Sequence, residues 1–409
     1  MSQHKTDSQV VIIGGGIAGG SLAFALASAG LDVLVLEATE RFSDRVRGES
    51  MMPWGVREAQ QLGVEAILLA AGAHTAGLWR RYGESGAPRD IPVGKMIAGV
   101  AGSLNLHHPT ACQALLDASV NAAATVKRGV TDLEVVSGER PLVKYRVEGI
   151  EHGASADIVV GADGRGSVVR RAVGISLESQ EADGYIAGLL LEGVSETIQH
   201  DAVCDHDLGI FLLIRQGQGR SRAYHVVPPA FRTRYSGGNG AEQFLRDAVA
   251  VGGPVGEAVA SARVAGPCGA VAGTDSWTAT PYVDGVVLIG DAAGHNDPTV
   301  GCGLSIAMRD ARLVRDLIIS GARRSIDFES YGTERMERMR RLRNLADVVN
   351  LGCVVAGPDR AQRRKRLSAG VSEMHPALFP MIVGMYVGPE MIPAELSDGT
   401  AAQHFLQTA

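Results

Sequence analysis

The sequence predicts an α/β fold in which a Rossmann-like dinucleotide-binding domain is interleaved with a β-sheet domain and followed by a helical C-terminal region. Three observations carry this. The apolar run Val10 to Ile13 leads at once into Gly14-Gly15-Gly16-Ile17-Ala18-Gly19 and then a helical stretch ending at Gly30. Far downstream, a buried-type strand from Gly285 to Ile289 delivers Gly290-Asp291-Ala292. Between them, Ile186 to Leu191, Ile210 to Ile214 and Ala223 to Val227 read as longer strands separated by glycine-rich turns, a second and mainly antiparallel layer.

Each piece of the first motif has a physical reason. Gly14 permits the tight turn, Gly16 lets the backbone approach a pyrophosphate, and Gly19 lets the helix pack on the strand, with free N–H groups and the helix dipole facing the anion. The next strand, Leu31 to Leu36, ends in Glu37. An acid there can accept hydrogen bonds from both ribose hydroxyls and would repel a ribose phosphate, which favours FAD or NAD over NADP. Two cofactor-facing segments so far apart in one chain point to FAD.

Helical periodicity around residues 111–125 puts Ala111, Ala114, Leu115, Ala118 and Ala122 on one face. Asp157 to Val160 is a further apolar run, ending in Gly161-Ala162-Asp163-Gly164-Arg165-Gly166-Ser167, a second sharp turn into a basic helix. Leu304, Ala307, Met308, Ala311, Val314 and Ile318 form the stripe of a helix beginning near Gly303. A largely helical tail follows Gly321. In its segment from Met374 to Ile392, the side chains Met374, Phe379, Met381 and Met385 either pack on a neighbouring helix or cover a pocket. The expected organisation is three FAD-domain segments (1–75, 107–180 and 276–325), two substrate-domain segments (76–106 and 181–275) and a helical region (326–409).

Composition narrows the partners. The chain has 409 residues, 45% of them hydrophobic, enough for more than one core, and a net charge of -6 argues against nucleic acid. The arginines of Arg335 to Arg343 and Arg363 to Arg366 read as a solvated helix face. The polar start MSQHKTDSQ lacks a signal-peptide core and no apolar run reaches spanning length, so a soluble, cytoplasmic protein without a membrane span is expected. Five cysteines without CxxC spacing suggest free thiols and no metal site.

Gly14-x-Gly16-x-x-Gly19 with Glu37, Val160-Gly161-Ala162-Asp163-Gly164, and Gly290-Asp291-Ala292-Ala293 with Pro298 and Gly301-x-Gly303 together resemble the FAD-dependent aromatic hydroxylases of the para-hydroxybenzoate hydroxylase type, over about residues 8–345. The resemblance implies that Asp291 binds the ribityl hydroxyls while Glu37 tethers the adenosine end. It implies that Gly301, Gly303 and Leu304 face the flavin's pyrimidine edge, that Pro298 walls the active site, and that Asp163 and Gly164 meet both the pyrophosphate and a passing nicotinamide cofactor. Arg47 falls where the family has an arginine that helps the flavin swing; a surface arginine paired with Glu49 is the alternative. Val130 is either a backbone contact to adenine or a plain strand residue. His108 stands where the family commonly has an FAD-contacting arginine, and is either a ligand or a structural histidine. The usual glutamine and asparagine of the Gly301 loop are replaced by Cys302 and Ser305, a change that shrinks polar reach near the flavin.

The activity implied is hydroxylation of a hydrophobic aromatic or polycyclic small molecule: NADPH or NADH reduces FAD, dioxygen adds, and the resulting flavin hydroperoxide gives up its distal oxygen. His225 is the candidate base, with a solvated or core histidine as the alternative. A rival on the same fold is a two-component epoxidase or hydroxylase fed reduced FAD by a separate reductase. The loop Arg47-Gly48-Glu49-Ser50 resembles that of flavin-dependent halogenases, but the WxWxIP signature is missing because Trp54, Trp79 and Trp277 are isolated. A double-bond reductase and a non-enzymatic flavoprotein complete the alternatives.

Overall fold

Four parallel strand ends lie in line along one edge of the first sheet. The strand His4–Ile13 is flanked by Ile150–Gly161 and Val33–Leu36, in a register that sets Ile13 opposite both Gly161 and Leu36, and Gly161 opposite Leu288 of the strand Val286–Leu288. The segments that follow, at Gly14, Glu37, Ala162 and Gly290, therefore emerge side by side although they are scattered through the sequence. This is the carboxyl edge at which open α/β sheets bind ligands. Thr125–Lys127 adds a further parallel strand beside Val33–Leu36, and Thr131–Val136 and Leu142–Val147 form an antiparallel meander onto Ile150–Gly161. The structure is a computed structural model that describes residues 4–83, 87–321 and 326–408; the expected chain limits at 1 and 409 and the expected boundary at 325 lie outside the described residues.

The helix Ile17–Ser28 is apolar on all sides because it is covered on all sides: the sheet lies beneath it and the helices His108–Asn121 and Gly303–Ser320 pack against it. In His108–Asn121 the buried face is Ala111, Cys112, Leu115, Leu116 and Ser119. That face keeps Ala111 and Leu115 of the expected alanine stripe and otherwise turns by about one residue, with Leu116 against Gly15 and Leu115 against Gly20. Gly303–Ser320 buries the expected stripe, and with it Asp310.

The second sheet runs Arg263–Val264, Gly184–Glu192, Arg220–Val227, Gly209–Gly217, Asp201–His206, Trp79–Tyr82 and Arg89–Ile91, antiparallel except where Trp79–Tyr82 joins Asp201–His206. Its strands have two buried faces. Ile186, Ile210, Ile214, Tyr224 and Val226 pack toward the C-terminal helices, whereas Ala187, Leu189, Phe211, Leu213 and Ala223 pack under Phe244 and Ala248 of the helix Gly240–Ala250.

The arginine-rich tail corrects the solvated-face expectation. Arg335 and Arg338 in the helix Glu329–Cys353, and Arg363 and Arg364 in Arg360–Ser372, are all buried. Arg363 donates to Leu351 O and Val355 O, and Arg364 to His206 O. Arg335 and Arg364 thus join the tail to the rest of the molecule by hydrogen-bonding carbonyl oxygens, and Arg363 links two helices within the tail, uses of arginine that charge patterning alone does not distinguish from exposure.

Candidate cofactor and substrate site

The glycines of the first turn do different things. Gly14 has φ 102°, and a Cβ there would stand 2.4 Å from Ala162 O. A Cβ on Gly19 would stand 1.9 Å from Gly14 O, so helix and strand meet backbone to backbone. Gly16 differs: a Cβ would meet nothing within 4 Å, leaving open space in front of the helix that begins at Ile17. Such a helix start is a place for an anion. Glu37 is buried beside it, accepting from Gly15 N at 2.6 Å and from Thr39 N and Thr39 Oγ1 at 2.8 and 2.7 Å. Oε2 keeps capacity for one further donor.

Two cavities meet at this turn. One, of about 420 Å³, is bounded by Glu37, Phe42, Val130 and Asp132. The other, of about 840 Å³, runs between the second sheet, the Gly290 and Gly301 loops and the C-terminal helices. Gly16, Arg47, His108, Asp163 and Gly164 line both, so the two are halves of one cleft. Asp291, Pro298, Gly301, Gly303 and Leu304 line the larger half. Gly301 has φ 65°, and a Cβ on Gly303, the first residue of its helix, would meet nothing within 4 Å. Met385 also lines this cavity, with Ile382 and Tyr386 of the helix Phe379–Val387, whereas Met381 is in the core and Met374 is exposed.

The turn Gly290–Ala293 is held from behind by buried charges. Arg335 donates to Gly290 O, Ala293 O and Gly294 O at 3.0, 2.9 and 2.9 Å and to Asp310 Oδ2 at 3.0 Å. Asp310 accepts in addition from Gly290 N at 2.8 Å and Arg338 Nη2 at 2.7 Å. Burial alone would raise its pKa, but the two arginines more than offset this and hold it below the usual carboxylate range. Arg170 Nη1 donates to Ala292 O at 2.8 Å from the other side. Asp291 is left facing the cavity, where its only ion pair among the described residues is the longer 3.4 Å contact with Arg165. The Asp310–Arg335 support was missed in the sequence. A signal was present, because an aspartate at 310 sits within the apolar stripe of Ala307 and Ala311, and a carboxylate on that face requires a buried partner.

The remaining candidates sort by their surroundings. Asp163 turns its carboxylate away, accepting from Ser167 Oγ and Val168 N at 2.6 Å each, so it fixes the start of the helix Val168–Ala172; its neighbour Gly164 is open. Cys302 and Ser305 also turn away, so neither side chain brings a polar atom into the cavity. Both are buried, Cys302 near Val300 O and Met385 O, and Ser305 Oγ accepting from Met52 N at 3.1 Å. Val130 N donates to Glu37 O at 3.1 Å. His108 lies at the junction of the two cavities, its pKa lowered to about 3 by burial and by nearby Arg47, so its ring is neutral at physiological pH.

Arg47 does not pair with Glu49. Glu49 is fully buried and accepts from Arg222 Nε at 2.6 Å, from Gln216 and from His108 N, and Arg222 reaches on to Asp44 at 2.6 Å. With Tyr224 donating its hydroxyl to Arg47 O, these contacts fasten the 44–49 loop to the second sheet and leave the Arg47 guanidinium in the cleft.

His225 is a correction. Strand alternation turns it to the opposite side of the sheet from Tyr224 and Val226, under Phe244 and beside Phe211, with Nδ1 hydrogen-bonded to Tyr235 Oη at 2.7 Å. It does not border the large cavity and cannot serve there as a base. Burial lowers its pKa from 6.5 to about 3. The unfolded chain therefore takes up a proton that the folded chain refuses, and His225 costs stability as pH falls through 6.5, by about 2 kcal/mol at pH 5. The expected result is that wild type loses melting temperature faster than His225→Phe between pH 7 and pH 5, with flavin reduction unaffected by the substitution; parallel melting curves would contradict the assignment.

Known proteins resemble this chain in sequence and in fold. Residues 7–346 match the family model described as FAD binding domain. The chain belongs to this FAD-binding family. Among curated relatives of this FAD-binding protein, squalene monooxygenase SE1 of Panax ginseng is 28% identical over 319 residues, 76% of this chain but 58% of the relative. The chain thus spans little more than half the length of that protein. 3-Amino-4-hydroxybenzoate 2-monooxygenase of Streptomyces cremeus is 30% identical over 41% of this chain and 42% of its own. Among solved structures, p-nitrophenol 4-monooxygenase PnpA of Pseudomonas putida DLL-E4 shares the fold with a TM-score of 0.76 at 16% identity, covering 97% of this chain and all of its own. The flavin-dependent brominase Bmp2 does so with 0.74 at 17% identity, covering 98% of each chain. No helix among the described residues is long and apolar enough to cross a membrane.

Proposed function

We propose that this chain is an FAD-dependent monooxygenase that uses NAD(P)H and dioxygen to hydroxylate a hydrophobic aromatic or polycyclic molecule. The observation that carries the reading is the junction of the two cavities: a smaller half bounded by Glu37 and the glycine turn opens directly into an 840 Å³ half floored by the apolar sheet face. Bound FAD supplies the redox chemistry, taking a hydride from the nicotinamide and activating dioxygen.

The residues present fit that cofactor. Glu37 is the acceptor for a ribose hydroxyl, and the open Gly16 and the helix start at Ile17 are the seat of the pyrophosphate. Asp291 is the acceptor for the ribityl chain. The start of the helix at Gly303 offers backbone N–H groups and a positive dipole end to the negative charge of the reduced ring. Arg47 brings a positive charge to the point where the cavity halves meet. Pro298, Ile210, Leu212 and Ile214 hold a substrate in place and keep water from it. The five cysteines, all free, suit a reducing, cytoplasmic setting.

The likeness to proteins named squalene epoxidase favours epoxidation as a second reading; in its two-component form, as in a two-component hydroxylase, reduced FAD comes from a separate reductase. Anaerobic addition of NADPH, then NADH, to the FAD-loaded protein with a panel of aromatic compounds separates the two. Bleaching of the oxidised-flavin absorption, accelerated by one compound, is the expected result. Absence of bleaching with either donor would overturn the self-sufficient reading and leave the two-component enzyme or a non-catalytic flavoprotein.

A further inference from the structure

One end of the large cavity is not apolar. Arg81 and Arg89 line it from the outermost strands of the second sheet, and Tyr386 lines it from the helix Phe379–Val387. Strand alternation explains the arginines: Trp79 and Arg81, and likewise Arg89 and Ile91, face the cavity, while Arg80 turns out to pair with Asp90. The two cations differ in what balances them. Arg81 is paired with Asp205 at 2.5 Å, and that carboxylate is buried. Arg89 donates to Ser372 Oγ at 3.0 Å and to Ser368 O at 3.4 Å, both uncharged, and no carboxylate pairs with it among the described residues.

A half-buried guanidinium without a counter-charge is unfavourable, and burial together with Arg81 does lower the pKa of Arg89. It stays protonated in any case, since an arginine cannot neutralise itself within the physiological range. Beside the pair, burial pushes the Tyr386 hydroxyl up to about 12, so it stays a neutral donor, and both arginines act on it. Among the described residues Asp205 is the one carboxylate that acts on both arginines, and it is paired with Arg81, so this end of the cavity carries one net positive charge there. A monoanion balances it, whereas a dianionic phosphate would overshoot. Planar, two-pronged donors match a carboxylate in particular.

We propose that Arg89, with Arg81 and the Tyr386 hydroxyl beside it, is a subsite for the carboxylate of an otherwise apolar substrate. The inference rests on the reading of the large cavity as the substrate chamber and names the class of molecule it takes. Four strand-to-strand steps separate the Arg89 strand from the Tyr224 strand that meets Arg47. At about 4.8 Å per step this is roughly 19 Å, so the carboxylate sits at the far end of an extended body, away from the carbon that reacts.

The test uses the FAD-loaded protein without any nicotinamide and compares two fluorescent probes of the same shape, 1-pyrenebutyrate and the neutral 1-pyrenebutanol. The acid is expected to bind at least about tenfold tighter, as a charge-assisted contact implies. Arg89→Gln should abolish that preference while leaving the alcohol's affinity in place, and Arg89→Lys should restore part of it. Equal affinities in wild type, binding of neither probe, or a preference that survives Arg89→Gln would each overturn the subsite. Because no turnover is involved, the outcome is independent of the monooxygenase reading: an acid preference in a protein that never oxygenates keeps the subsite and removes the function, and oxygenation of neutral compounds without the preference does the reverse.

Discussion

Arg335→Met should destabilise the fold by about 3–5 kcal/mol, the usual cost of removing one partner from a buried ion pair. The side chain is only 2% exposed and contributes bonds to three carbonyls of one turn and to Asp310. Without it those carbonyls lose their donor inside the protein, and Asp310 is left with Arg338 and the amide of Gly290. Methionine fills the volume, so the loss is electrostatic. Because the same turn presents Asp291 to the cavity, FAD retention should fall in parallel. Urea denaturation of the apoprotein and FAD titration of the folded fraction check this. A loss below about 1 kcal/mol with undiminished FAD affinity would mean that the turn holds itself.

Gly16→Val should weaken FAD binding by on the order of a hundredfold or more, as losing one or two charge-assisted bonds to an anion implies, without harming the apoprotein. The backbone at Gly16 has φ -70° and ψ -164°, which valine adopts readily, and its Cβ would project into open space. That space is the seat assigned to the pyrophosphate. Gly19→Val is the control with the opposite outcome, because its Cβ would lie 1.9 Å from Gly14 O and would push the helix off the strand. The expected pattern is a Gly16→Val apoprotein that melts like wild type but does not retain FAD, and a Gly19→Val protein that fails to fold. If Gly16→Val retained FAD, the glycine turn would not be the anion seat.

Much of this site was legible because it is made of backbone. Strand, glycine turn and helix N-terminus leave local signatures in composition and spacing, so Gly14, Gly16, Gly19, Glu37, Gly290 and Gly303 could be picked out one by one. Their convergence depends on register, with Ile13 opposite Gly161 and Gly161 opposite Leu288, and family resemblance anticipated it where local pattern could not. Side-chain partners were less legible. The clasp of Arg222 on Glu49 and Asp44, and that of Arg335 on Asp310, join residues far apart in the chain, and an arginine written among glutamates reads the same whether it is solvated or buried. His225 failed for a smaller reason. On a strand buried on both faces, the two sides have the same apolar character, so alternation fixes which residues share a face without saying which face meets the cavity. The Arg89 end of the chamber was hidden likewise, because a lone arginine on a short strand carries no pattern at all.

The account stands on the two cavities being one binding site, with the 420 Å³ half for the adenosine and the 840 Å³ half for the flavin ring and substrate. Calorimetric titration of the apoprotein with FAD, FMN and NAD tests this most directly. The expected result is one FAD per chain, with FMN and NAD each weaker by on the order of a hundredfold because each contacts only part of the cleft. FMN binding as tightly as FAD, or no saturable FAD binding, would contradict it.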